Sequence, residues 1–564
     1  MRKILPLIVA AVVGCGGAHA PALVPATWTL KAQPVTAESA MVVTAQPLAT
    51  QVGVDILKQG GNAIDAAVAV AFALEVVLPD AGNIGGGGFI VHRNAAGEVQ
   101  ALDYREAAPS GASREMYVDS AGNVTDKSLI GHLAPGVPGS VAGLHEAWKQ
   151  YGSLRWATLL APAIKLAEGH VIDSARSGSI GWSRELLARF PASRAQFLVN
   201  DSAPPPGTLW RQPDLARTIQ LISDSGPDVF YRGQIADLIV AEMQRGGGLI
   251  TKDDLRRYQA KWRAPVQLTY RGYTIYSMPP PSSGGVTMGE LLNILEGYDS
   301  LPRFGTPAYV HIVAEAMRRA FIDRNRYLGD PDFVQMPLDL LLSKSYAATL
   351  RAQIDPQRAT PTPQQTTRGG EAMHTTHYSI VDANGDAVAV TTTLNGGFGS
   401  GVTVTGAGFL LNNEMDDFTS APGKPNMFGL VQGEANAILP GKRMLSAMTP
   451  SIVLDSTGQL YMVLGTPGGP TIITTVAQVI LNVVNQKMSL ADAVAAPRFH
   501  HQALPDMIRS EGGGLSESTI QALQAMGHLV DRRGGSGTVA AIQRTANGWV
   551  GVIDPRAAGS ALGY

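Results

Sequence analysis

Two threonines, Thr375 and Thr376, open the stretch TTHYSIVDANGDAVAV (375–390). Residues 377–381 alternate as a strand, Asn384-Gly385 is the strongest short-range hairpin signal, and 387–390 lead back. Directly upstream, residues 351–374 lack apolar periodicity and are rich in Pro, Gln and Thr, as an exposed linker is. A threonine hydroxyl is a weak nucleophile until a base takes its proton. A lysine amine, with a pKa of about 10.4, is mostly charged at neutral pH, whereas a free α-amino group sits at about 7.7–8.0. A cut between His374 and Thr375 would put such an amine on the nucleophile's own Cα, a variant of triad logic. The Thr375 hydroxyl could make that cut by attacking the carbonyl of His374. On spacing alone a plainer reading stands beside this one, two β-formers opening a strand.

The elements that must position these residues follow from pattern. Residues 52–58 read as a short helix stopped by Gly60-Gly61. Asn62 then caps a second helix that ends before Pro79 and is apolar all round, which demands burial on every side. Residues 89–92 read as a strand. Residues 140–260 read mostly as helices, including 156–168 and 233–245. After the Pro-Ser-Gly loop 278–285 helix continues through Tyr327, and beyond the linker strands are expected at 377–393, 402–411, 451–455 and 460–465. Strands between buried helices imply a layered α/β domain.

The 564 residues are 45% hydrophobic and 16% charged, with 63 glycines and 36 prolines, as in a globular, loop-rich enzyme. A formal charge of −2 presents no basic face, which argues against nucleic acid or bulk anionic membrane as partners. Residues 1–20 read as an export signal: Met1-Arg2-Lys3, then an apolar run over 4–13 too short to span a bilayer. Ala18-His19-Ala20 fits the small-x-small cleavage rule. Val12-Val13-Gly14-Cys15 resembles a lipoprotein box, which would lipidate Cys15 and anchor a periplasmic protein to its membrane. Cys15 is the single cysteine, so no intramolecular disulfide forms. GGGG at 85–88 lacks the Gly-Lys-Ser/Thr ending of a phosphate loop and is expected to permit close packing.

The stretches TTHYSIVDANGDAVAVTTTLNGGFGSG (375–401), LLNNEMDDF (410–418), GKRMLSAMTPSIVL (441–454) and GTPGGPTIITT (465–475) resemble the gamma-glutamyltransferase family, also called glutathione hydrolases, within the N-terminal-nucleophile hydrolases. GNIGGGGF (82–89), DYREAAP (103–109), RGYTIYSMPPPSSGG (271–285), YLGDPDF (327–333) and APRFHHQ (496–502) extend the likeness over essentially the whole mature chain. It implies a four-layer αββα sandwich built from both halves of a self-cleaved chain. These are a large subunit, 21–374, and a small catalytic subunit, 375–564, forming a heterodimer. The implied reaction moves a γ-glutamyl group from glutathione or related compounds, through an ester on Thr375, to water or to amino acids and dipeptides.

The same resemblance implies the site. Thr393 hydrogen-bonds near the nucleophile and assists processing. Arg105 clamps the α-carboxylate with its planar fork, and Asn395, Glu414 and Asp417 accept from the α-ammonium. Gly468 and Gly469 supply the N–H pair for the oxyanion. Two adjacent serines usually grip the carboxylate; here they are Ser446 and Ala447, one hydroxyl short, a difference of about 1 kcal/mol that leaves room for another acyl group. Residues 421–430 resemble a lid loop, with Phe428 where tyrosine is common.

No cofactor or catalytic metal is expected. His500 and His501 are adjacent, so a strand points them to opposite faces, and there is no His-Glu-x-x-His; His377 reads as structural. The alternatives are a glutaryl or cephalosporin acylase of the same family and a non-catalytic lipoprotein that binds glutamyl peptides.

Overall fold

The computed structural model describes residues 29–82, 84–362, 375–421, 423–535 and 537–564. The expected signal segment with Cys15, and His374 with most of the linker, lie outside the described residues.

Two seven-stranded antiparallel sheets stack face to face. The first runs, edge to edge, Ser560–Gly563, Met41–Thr44, Thr375–Val381, Ala387–Thr393, Gly87–Arg93, Val99–Tyr104 and Lys261–Arg263. The second runs Val35–Ala37, Gly548–Ile553, Ala540–Thr545, Leu460–Gly465, Ser451–Leu454, Tyr273–Ser277 and Val266–Tyr270. Helices Pro47–Lys58, Ala63–Val77 and Ser140–Tyr151 cover the first sheet; Gly284–Glu296, Thr471–Val484 and Leu490–Ala495 cover the second. The layers are therefore αββα, as expected.

Sequence explains the two central helices. In Ala63–Val77 only Ala71 escapes burial, and all fourteen residues of Thr471–Val484 are buried. The first is apolar all round and so is stable only with packing on every side, whereas the second buries Thr474, Gln478 and Asn482 with hydrogen-bond partners. The first begins with a reciprocal cap: Asn62 Oδ1 accepts from the Asp65 N–H at 2.9 Å while Asp65 accepts from the Asn62 N–H at 3.1 Å. Among the described residues no helix is long and apolar enough to cross a membrane.

The strand of Thr375 and its return strand form the expected hairpin, in register Thr375↔Thr393 to Val381↔Ala387. Its turn is longer than an Asn-Gly pair alone, because residues 382–386 intervene and only Gly385 takes positive φ. Asp382 organises it, accepting from the N–H groups of Asn384 (2.8 Å), Asp386 (3.0 Å) and, across the layer, Ala63 (3.0 Å).

Two expectations are corrected. Residues 402–411 are not a ladder strand: one isolated bridge, Thr403↔Leu410, closes a loop in which Gly406 and Gly408 take positive φ. Side chains supply its missing ladder, Ser193 accepting from the Thr403 N–H and Glu242 from the Thr405 N–H. The linker is shorter than composition suggested, since residues 344–352 are helical and 355–362 are anchored. Ala359 N–H donates to the Met526 carbonyl, Thr360 N–H to Glu315 and Thr362 N–H to Asp506.

The GGGG run brings backbones together where no side chain fits. A methyl group at Gly85 would lie 1.9 Å from the Leu410 carbonyl oxygen, and one at Gly86 would lie 2.0 Å from that of Thr393. Those oxygens belong to backbone and cannot step aside. Gly86→Ala is therefore expected to cost more than about 3 kcal/mol, against about 1 kcal/mol for Gly122→Ala, where φ is positive but space is open. Soluble yield and thermal denaturation of the two variants check this; equal losses would refute it.

Candidate active site

At the open end of that hairpin the first residue of one strand faces the last of the other. The Thr375 hydroxyl lies 3.2 Å from the Thr393 hydroxyl, which also accepts from the Asn395 N–H at 2.7 Å. Asn395 has φ 76°, a left-handed conformation that asparagine tolerates better than most residues and that recurs at functional sites. The turn directs its amide to the Asn413 carbonyl, 3.0 Å away.

A cavity of about 20 Å³ opens beside Thr375. It is lined by Thr393, Asn395, Arg105, Glu414, Asp417, Ser446, Ala447 and Gly469, together with Phe428 and Arg324. Gly468 stands next to the cavity without lining it. Gly468 and Gly469 have φ 138° and 55°, a pairing that side chains would resist. They precede the buried helix Thr471–Val484, whose N-terminal end carries partial positive charge toward the cavity.

Arg105 is buried, and its guanidinium meets three acids. Nη1 lies 2.6 Å from Glu414 and 3.5 Å from Glu106, Nη2 donates to Asp417, and Nε donates to the Met444 carbonyl at 3.2 Å. Burial works against its charge, but Glu414, Asp417 and Glu106 more than offset that and keep it protonated. Burial raises all three acids against the pull of Arg105, Glu106 to about 7. Three carboxyls share one arginine, and neither oxygen of Glu106 has a hydrogen-bond partner among the described residues. A second cation completes this cluster at low electrostatic cost.

Ser446 is held by backbone bonds to the Pro-Ser-Gly loop: its N–H donates to the Pro281 carbonyl at 2.8 Å and its carbonyl accepts from the Ser283 N–H at 2.8 Å. Ala447 presents a methyl group to the cavity. The loop of Phe428 lies closed. Asn426 Oδ1 accepts from the N–H groups of Phe428 and Leu430, both at 3.1 Å, and Asp416 accepts from the Met427 N–H at 2.9 Å. The Phe428 ring packs on Gly469, where a methyl group would approach it to 2.8 Å. With no phenol to latch, the loop is fastened by its backbone, Gln502 donating to the Phe428 carbonyl at 3.2 Å. A cavity of this volume holds about one water.

His377 is neutral: burial lowers it to about 3, and its ring nitrogens meet the Thr391 hydroxyl at 2.8 Å and that of Ser379 at 3.1 Å. His500 and His501 do diverge, His500 toward Thr474 and Gln502, His501 toward Asp506. Among the described residues His311, Glu315 and His528 form the one cluster of metal-ligating type. Its atoms are already engaged, His311 Nδ1 with His528 Nε2 at 2.7 Å and Glu315 with Thr360 and Arg319. Sequence reasoning missed Arg324. The period of helix Pro307–Tyr327, whose buried positions include Val313, Met317, Phe321 and Arg324, would have placed it on the buried face.

A model of the family described as Gamma-glutamyltranspeptidase matches residues 49–564. The glutathione hydrolase proenzyme of Pseudomonas sp. (strain A14) is 48% identical over 550 residues, covering 94% of this chain and 95% of that protein. The glutathione hydrolase proenzyme of Escherichia coli (strain K12) is 46% identical over 533 residues, 93% of this chain and 91% of that one. The crystal structure of cephalosporin acylase from Bacillus halodurans aligns with TM-score 0.84 at 29% identity, over 95% of this chain and 98% of that chain. The αββα sandwich is that of the N-terminal-nucleophile hydrolases. The chain belongs to the gamma-glutamyltranspeptidase family.

Proposed function

We propose that the chain is an exported, self-processing gamma-glutamyltransferase and glutathione hydrolase. The observation that carries this is one cavity shared by Thr375, Thr393, Arg105 and its acids, and Gly469. In processing, the Thr375 hydroxyl attacks the carbonyl of His374, the acyl group passes from nitrogen to oxygen, and water hydrolyses the ester. This frees the Thr375 α-amine and leaves a large subunit (21–374) paired with a small one (375–564). His374 lies outside the described residues; the 3.2 Å contact of Thr375 with Thr393 supports Thr393 as the group that orients the attacking oxygen.

In turnover, the α-amine takes the proton of the Thr375 hydroxyl as the oxygen attacks the γ-carbonyl of the donor. Arg105 takes the donor's α-carboxylate with Ser446, while Asn395, Glu414 and Asp417 take its α-ammonium. The N–H groups of Gly468 and Gly469 receive the oxyanion. Collapse expels the amine, which leaves with the proton, and a γ-glutamyl ester stays on Thr375. Water, an amino acid or a dipeptide then attacks the ester, the α-amine takes its proton, and Thr375 is restored.

Ala447 favours a second reading, a glutaryl or cephalosporin acylase, because a methyl group replaces a carboxylate donor. The three acids around Arg105 weigh against it: a glutaryl group brings no ammonium to that excess of negative charge. Residues 1–20 as an export signal complete the proposal and put the enzyme in the periplasm; a cut directly before Cys15 would instead start the large subunit at a lipidated Cys15. A binding lipoprotein without catalysis would keep an intact chain.

Intact-mass analysis of purified protein is expected to find two polypeptides, at roughly one third and two thirds of the 59.3 kDa chain, the smaller starting at Thr375 and the larger either at Pro21 or, with the lipoprotein box in use, at a lipidated Cys15. An uncut chain would refute self-processing, and a large subunit starting at Pro21 the anchor. Thr375→Ala is expected to leave one full-length chain with no turnover; processing that persisted would reassign the nucleophile. γ-Glutamyl p-nitroanilide should be hydrolysed with kcat/KM at least about 100-fold above glutaryl p-nitroanilide, a gap of roughly 2.7 kcal/mol for the ammonium contacts. The reverse order would establish the acylase.

A further inference from the structure

Two guanidinium groups reach the cavity, and they are differently engaged. Arg105 is committed to three acids. Arg324 is just as buried, yet its side-chain partners are neutral: Nε donates to the Ser283 hydroxyl at 3.1 Å, and Nη1 donates to Asn325 Oδ1 at 2.9 Å and Gln432 Oε1 at 2.7 Å. Its Nη2 has no hydrogen-bond partner among the described residues. Burial lowers Arg324 to about 10, partly offset by the charge of Asp417, so it stays cationic at neutral pH. A buried cation without a carboxylate pair, on the wall of a cavity, calls for an anion from outside.

Its position links the two ends of the site. Ser283, which accepts from Arg324, donates to the Ser446 carbonyl at 2.7 Å, next to Ala447. Gln432, which also accepts from Arg324, donates to the Asp417 carbonyl at 2.9 Å. Arg324 thus stands between the segment that should grip the carboxylate and the segment that should grip the ammonium, beside the position that lacks its hydroxyl.

We infer that Arg324 is a second carboxylate-binding cation, whose free Nη2 supplies the donor absent at Ala447. This rests on the γ-glutamyl reading of the site and adds to it. Arg324 and Arg105 share the donor's carboxylate, and Arg105 remains balanced by its acids. The site would then demand a carboxylate on the acyl group more strictly than it demands an ammonium.

Three p-nitroanilide donors test it: γ-glutamyl, glutaryl, which lacks the ammonium, and 4-aminobutyryl, which lacks the carboxylate. In Arg324→Met, kcat/KM for the γ-glutamyl and glutaryl donors should fall at least about tenfold, mainly through KM, while the 4-aminobutyryl donor changes less than about threefold. Adding Ala447→Ser to this variant should recover part of the loss on the carboxylate donors alone. Equal losses on all three donors would make Arg324 a purely structural residue and overturn the inference. Should Arg324→Met accumulate as uncut chain, Arg324→Lys replaces it. The same selective loss is then expected, because an ammonium cannot serve Ser283, Gln432 and a carboxylate together, and unchanged selectivity overturns the inference. Wild-type protein that turned over no γ-glutamyl donor would refute the underlying reading instead.

Discussion

Thr375 faces Thr393 because two strands are held in one register, and the chemistry of the site has no meaning in any other. Side chains alternate across a sheet, so a slip of one residue would turn the Thr375 hydroxyl away from the cavity and present Thr376 in its place. The register is fixed from three directions. Asp382 ties the turn of the hairpin to the start of the central helix, and Met41–Thr44 pairs along one flank. On the other flank the glycine run 85–88 admits backbone so close that no other residue type would fit. Each of these acts well away from the hydroxyl and decides where it points.

The cavity is organised by charge as much as by shape. Arg105, Glu106, Glu414 and Asp417 are all buried, an arrangement that is costly without mutual compensation. Arg105 meets three carboxyls, and burial raises all of them against its pull, Glu106 to about 7. Burial of this cluster strengthens every charge interaction inside it. Such a site is arranged in advance for a molecule that carries both signs.

Much of this was legible in the chain, for physical reasons. A helix apolar on every face has one stable environment, so 63–77 declared a buried layer. The loss of periodicity before a threonine pair marked the start of the strand of Thr375. Residues 402–411 misled because their apolar alternation is used to fill a loop, while Ser193 and Glu242, more than 160 residues upstream, satisfy the backbone. Residues 355–362 misled in the opposite sense: a Pro- and Thr-rich composition looks solvated, yet Glu315 and Asp506 bind its N–H groups. Arg324 is a single charge on a buried helix face, and nothing local distinguishes a structural arginine from one that faces a ligand. Long-range partners decided all three.

The first sheet interleaves chain from both sides of Thr375: Met41–Thr44 and Gly87–Arg93 flank the hairpin, and Ser560–Gly563 returns beyond the former. A break just before Thr375 would sever no ladder in this sheet, so the pieces would remain woven together. Their assembly would nonetheless change character. An unbroken chain refolds at a rate independent of dilution, whereas two woven fragments, once unravelled, must find each other again, and their recovery becomes second order in concentration. Whatever such a break contributes to chemistry, it converts a fold that can repair itself into one that is, in dilute solution, made once.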